Sequence, residues 1–170
     1  MKFLVVDDEP LIRRALVRAF MSIGYECDQA ENGKIALDLI AKNNYRAILL
    51  DVIMPEKNGY EVLLEIFLVS HDPTTPNRQG NDVGTQYRSA IFCQDDAQMA
   101  AAHAMIEAFT NKQIYNTPIV TEINVVSKFY PAEDYHQYYF DKNPGNPYCM
   151  AVAAPKAAKI RAKYAQLIKV

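Results

Sequence analysis

The chain has 170 residues, half of them apolar and 22% charged, with a formal net charge of −2. This ordinary globular composition excludes disordered, collagenous and low-complexity chains, and no apolar run reaches the roughly 18–20 residues of a membrane span. The first eight residues turn acidic too soon for a secretory signal, and Cys27, Cys93 and Cys149 stand too far apart to read as a disulfide framework or paired metal ligands. A cytoplasmic protein with neither a nucleic-acid nor a membrane partner is expected.

Lys2 to Val6 is a short run rich in Val and Leu, which predicts a buried strand. It ends in Asp7-Asp8-Glu9, and Pro10 suits the first turn of a helix. Ile12, Leu16, Ala19, Phe20 and Ile23 recur at helical spacing, with Arg13, Arg14 and Arg18 on another face, and Gly24 stands where a helix ends. Tyr25 to Ala30 predicts a second strand, and Gly33 precedes a helix carrying Leu37, Ile40 and Ala41. Arg46 to Leu50 predicts a third strand ending at Asp51, and Val62, Leu63, Ile66 and Phe67 mark a third helix. Strands alternating with helices, each strand continuously apolar, predict an α/β fold with a parallel sheet in a three-layer sandwich.

On such a sheet Asp7, Asp8 and Asp51 meet at the carboxyl ends of neighbouring strands, the edge where open α/β sheets bind ligands. Three carboxylates there repel one another unless a hard, oxygen-seeking cation such as Mg²⁺ screens them. A single acidic residue after a strand is ordinarily a solvated loop residue or a helix cap. A pair after one strand and a single Asp followed by x-x-Met-Pro after another point instead to a cation site.

Composition changes along the chain. Through Phe67 there are 8 basic and 11 acidic residues; from Leu68 onward there are 10 basic and 9 acidic. All three histidines, seven of nine prolines and eight of eleven tyrosines lie in the later stretch.

Leu4-Val5-Val6-Asp7-Asp8-Glu9, Asp51-Val52-Ile53-Met54-Pro55 and Asn58-Gly59-Tyr60-Glu61 resemble the N-terminal half of a response-regulator receiver domain over about residues 1–66. The resemblance implies a flavodoxin-like start, with Asp51 accepting a phosphoryl group in a phosphorelay. Asp7, Asp8 and Asp51 would hold Mg²⁺ weakly with the backbone carbonyl of Ile53, and a histidine kinase would be the partner. Receivers also place a Thr or Ser after the fourth strand and a Lys-Pro after the fifth, and neither motif is found. Lys128 follows an apolar strand, but Phe129-Tyr130-Pro131 comes after it.

The polar stretch from His71 to Ile91 is a long loop running into a fourth strand, Tyr87 to Cys93, and loops of this length are usually functional. With Phe129 to Gln137, Asn143 to Cys149 and Ala154-Pro155-Lys156, it resembles the A-type peptide methionine sulfoxide reductases over about residues 60–170. By that resemblance Asp82 and Tyr87 bind and polarise the sulfoxide oxygen of a methionine-sulfoxide peptide, and His136 and nearby tyrosines line the site. Asp82 has a competing reading as turn chemistry, and Tyr130, Tyr135, Tyr138 and Tyr139 as packing aromatics with rim hydroxyls.

The family's Gly-Cys-Phe-Trp-Gly nucleophile motif does not occur, there is no tryptophan, and the family's acidic glutamate is missing. Cys149 stands where some members carry recycling cysteines and is the remaining candidate thiol; Cys27 and Cys93 sit in apolar strand patterns and read as inert.

Tyr60 to Phe67 fits both families. Asp95-Asp96 opens a helix with Met99, Ala102, His103, Ile106 and Phe109 on one face; Ile119 to Val126 predicts a fifth strand, and Ala157 to Ile168 a closing helix. The expectation is one hybrid domain, residues 1–170, with receiver-like 1–66 joined through the shared helix to reductase-like 67–170. Its sheet would be continuous and mixed. As a recombined or engineered chain it would lack the native activity of either parent, so the reading leans away from an enzyme.

Overall fold

The computed structural model of the chain describes residues 2–143, 145–147, 150 and 151. Two compact units divide between Val69 and Ser70. The first contains β1 (Lys2–Val6), α1 (Pro10–Ser22), β2 (Glu26–Ala30), α2 (Gly33–Lys42), β3 (Ala47–Leu50) and α3 (Gly59–Ser70), the last ending at the division. Its three strands are parallel in the order β2-β1-β3. In register, Val6 faces Ala30 on one side and Leu50 on the other. The central strand is the apolar one: Leu4, Val5 and Val6 are buried, and Leu4 and Val6 form a core with Ala30, Ala36 and Met54. Phe3 stacks on Phe20 at 4.9 Å and packs against Tyr25 at 4.8 Å.

The chain signals act as their chemistry dictates. Pro10 opens α1, and Gly24 takes φ +88° just past its end while its N–H bonds the Met21 carbonyl. The Asn32 side chain accepts from the Ile35 N–H at 2.9 Å. At α3 the caps are reciprocal: the Asn58 side chain accepts from the Glu61 N–H at 2.9 Å, and the Glu61 carboxylate accepts from the Asn58 N–H at 2.8 Å.

The second unit contains β4 (Arg78–Gln79), β5 (Asp82–Val83), a 3-10 turn (Thr85–Tyr87), β6 (Ala90–Cys93), α4 (Asp96–Asn111), β7 (Glu122–Val125) and α5 (Tyr139–Lys142). β4 and β5 form a small antiparallel hairpin. β6 and β7 pair in parallel, joined through α4, as a parallel pair requires a crossover. Asp95 caps α4 by accepting from the Gln98 N–H at 2.8 Å.

The α/β architecture and its parallel β-α-β-α-β-α start are as the sequence predicts. Several details differ. Among the described residues the strands form three separate sheets, so the expected continuous sheet is not made. The fourth strand begins at Ala90 rather than Tyr87, because Thr85–Tyr87 winds into a turn that leaves the Arg88 N–H bonded to the Thr85 carbonyl. The fifth is trimmed to Glu122–Val125. His103 is exposed, because the inward stripe of α4 runs through Ala102 and Phe109 and is narrower than the wheel suggests. The predicted helix over 157–168 and Cys149 lie outside the described residues. No helix among the described residues is long and apolar enough to cross a membrane.

Candidate functional site

The acidic edge of the first sheet follows from its register. β1 and β3 run side by side and end together, so the residues after them emerge at one edge. Hydrogen bonds hold that edge: the Asp7 N–H bonds the Ala30 carbonyl at 3.1 Å, and the Asp51 N–H bonds the Val6 carbonyl at 2.9 Å. Asp7, Asp8 and Asp51 each present a carboxylate oxygen, all within 4.8 Å of one another; Asp7 and Asp51 are half-buried and Asp8 is exposed. An octahedral Mg²⁺ with bonds of about 2.1 Å sets its oxygen ligands roughly 3–4 Å apart, so this donor set fits a hard cation after small side-chain adjustments. Asp7 also accepts from the Glu9 N–H at 2.8 Å.

One supporting residue was not legible as such. Arg13 donates to the Asp7 carbonyl at 2.6 Å and lies 3.9 Å from the Glu31 carboxylate, so a helix arginine pins the backbone of the acidic turn. Sequence placed it only on the polar face of α1. Ile53, offered for its backbone carbonyl, has an 83% exposed side chain, and its N–H approaches the Asp51 carboxylate at 3.4 Å.

In the second unit the loop after His71 is built, not slack. Asp72 accepts from the N–H and hydroxyl of Thr74 at 2.9 and 2.6 Å, and its own N–H bonds the Gln79 side chain at 3.1 Å. Asp82 pairs with Gln79 across the hairpin, and the Gly84 N–H closes onto the Asn77 carbonyl at 2.9 Å. Asp82 is half-buried and Tyr87 is 39% exposed, both within the loop that the sequence singled out. His136 lies against Tyr135, ring centres 4.2 Å apart, with Glu133 3.8 Å from it. Tyr130, Tyr135 and Tyr138 are exposed, so the packing reading of these rings does not hold; Tyr139 is 40% exposed. Lys128 extends over the Tyr130 ring at 4.8 Å.

Both described thiols are held toward the protonated form. Burial raises the Cys93 thiol above its ordinary value and Asp95 adds to it; burial and then Asp28 do the same to Cys27.

Comparison with known proteins finds two families along the chain, with matches that overlap. The family model for peptide methionine sulfoxide reductase matches residues 52–168, and that for the response regulator receiver domain matches residues 3–77. Both matches include α3. A peptide methionine sulfoxide reductase MsrA of Polynucleobacter asymbioticus is 50% identical over 67% of this chain and 60% of its own length. One of Deinococcus radiodurans is 50% identical over 68% of this chain and 56% of its own. The chain thus spans about three fifths of the length of the curated relatives it matches. The crystal structure of reduced Mxr1 from Saccharomyces cerevisiae is 41% identical, with a TM-score of 0.50 over 56% of this chain and 52% of that one. The chain belongs to the peptide methionine sulfoxide reductase family, and its N-terminal part is a match to the receiver domain.

Proposed function

We propose that this is a recombined hybrid without the native turnover of either parent, whose surviving chemistry is a weak divalent-cation site at Asp7, Asp8 and Asp51. The observation that carries this reading is the convergence of three carboxylates within 4.8 Å at one sheet edge. Asp7, Asp8 and Asp51, with the Ile53 carbonyl, would hold Mg²⁺, and the ion when bound supplies positive charge that offsets their repulsion and that of an incoming phosphoryl group. Asp51 is the phospho-acceptor-like residue. With neither the receiver's hydroxyl nor its Lys-Pro motif in the sequence, charge stabilisation of the transferring group is incomplete, and acceptance from a small phosphodonor or a histidine kinase is slow or absent.

Titration with Mg²⁺ tests the site. Wild type shows saturable weak binding that Asp51→Asn lowers several-fold, and identical curves would remove the site. Mass analysis after acetyl phosphate then reports whether Asp51 accepts a phosphoryl group.

A second reading, recognition of methionine-sulfoxide peptides through Asp82 and Tyr87, is supported by the hairpin that carries Asp82, the 3-10 turn that carries Tyr87 and family membership. Reduction is a separate matter. It needs a thiolate attacking sulfur while the oxygen is protonated, and no Gly-Cys-Phe-Trp-Gly motif is present to supply one.

A further inference from the structure

We propose that His71 is a positioning residue: acting through two hydroxyls, it locks both stems of the loop that carries Asp82 and Tyr87. This deepens the sulfoxide-recognition reading and rests on it for the loop's purpose. His71 Nε2 lies 2.7 Å from Ser89 Oγ, and Ser89 Oγ lies 2.7 Å from Thr121 Oγ1. His71 begins the loop, Ser89 ends it just before β6, and Thr121 leads into β7. Ser89 is only 6% exposed. The Ser89 hydroxyl has one proton and two lone pairs, so it can serve both neighbours at once. A buried hydroxyl saturated in this manner is costly to leave unpaired, which makes the bridge a specific clamp.

The backbone repeats the connection. The Val120 N–H bonds the carbonyl of fully buried Pro73 at 2.8 Å, and the Glu122 N–H bonds the Ser89 carbonyl at 3.0 Å. Arg88 reaches Glu122 at 3.1 Å. Both loop ends are thus tied to the entry of β7, while the bonds of Asp82 and Tyr87 among the described residues are local to the loop. The bridge joins residues 18 and 32 positions apart, a distance over which no local pattern enforces it.

The test measures amide hydrogen exchange of the full chain, together with affinity for N-acetylmethionine sulfoxide. His71→Ala should speed exchange at Gly84 and Tyr87 by about tenfold or more relative to Val126, the control at the β7 end, and weaken sulfoxide binding by a similar factor. His71→Gln, which places an amide near the position of Nε2, should restore both. Thr121→Val, an isosteric loss of one hydroxyl, should give a smaller shift of the same kind and serves if the alanine variant does not fold. Wild-type exchange at Gly84 and Tyr87 in the alanine and valine variants would overturn the proposal. So would a uniform rise that includes Val126, since that marks general loosening, or a failure of glutamine to rescue. Loop protection that depends on His71 in a wild type that binds no sulfoxide would support the clamp and overturn the recognition reading.

Discussion

A Cβ placed on Gly59 would lie 2.4 Å from the Asp51 carbonyl oxygen and 3.0 Å from the Val52 Cα. The start of α3 and the turn carrying Asp51 are therefore packed backbone against backbone, with the Gly59 N–H bonding the Val52 carbonyl at 3.1 Å. Glycine is required here by proximity, since neither neighbour is a side chain that can swing away.

Gly59→Ala is accordingly expected to destabilise the chain by about 1–3 kcal/mol, the usual cost of overpacking. It should also move Asp51 and weaken Mg²⁺ binding. Thermal unfolding and Mg²⁺ titration check both effects; a fully wild-type variant would show that the turn relaxes freely.

Asp28 gives an acid-side prediction. Burial pushes its carboxyl up, but hydrogen bonds from Lys2 and Tyr45 and the Lys2 charge outweigh this and hold it below the ordinary value. Lys2 lies 2.7 Å from it. A carboxyl depressed in the fold contributes stability that is complete above the unfolded value of about 4 and is lost as pH falls through the folded one. The stability gap between wild type and Asp28→Asn should therefore narrow below about pH 4. Denaturant unfolding across acid pH measures it, and a constant gap would contradict the ion pair.

Tyr115 gives the alkaline counterpart. Burial, then the nearby Asp72 charge, pushes its phenol up to about 12. Its contribution to stability is present below the ordinary tyrosine value of about 10 and lost as pH rises from there through the folded value. Spectroscopic titration should show a late phenolate component near 12 that Tyr115→Phe removes.

Reductase turnover is the prediction that family membership most tempts one to reverse. Even if Asp82 and Tyr87 orient a sulfoxide as proposed, losing the nucleophile of a covalent mechanism leaves only binding and polarisation. No reduction of free or peptide methionine sulfoxide is expected with dithiothreitol. Turnover that survives purification and disappears in Cys149→Ser would make Cys149 the working nucleophile.

One cooperative transition is proposed for the whole chain. Among the described residues the first unit, up to Val69, has three strands, and small cores are marginal. Two resolved calorimetric transitions, or a stably folded fragment 1–69, would refute this.

The acidic edge was legible because its elements carry local signals and a strand-helix alternation dictates their parallel pairing. Continuous apolarity marks β1 and β3, Pro10 and Gly24 bracket α1, and parallel pairing brings Asp7, Asp8 and Asp51 to one edge. The loop was legible as a segment but not in shape. Its hairpin depends on Asn77 and Gly80 taking positive φ of 49° and 62°, which periodicity does not encode. The His71–Ser89–Thr121 bridge could not be read at all, because Ser and Thr at strand entries look like ordinary polar punctuation until the fold joins them. His103 misled the helical wheel because it fits the spacing of Met99 and Ile106 yet lies one position beyond the buried stripe.

The reciprocal Asn58–Glu61 cap bears on how two lineages could share one polypeptide. Both side chains of the cap are contributed within four consecutive positions, ahead of the division at Val69. The cap at its opening therefore uses no residue that succeeds the first turn along the chain. A genetic crossover placed inside such a self-starting element exchanges the downstream sequence without having to reinvent a beginning for it.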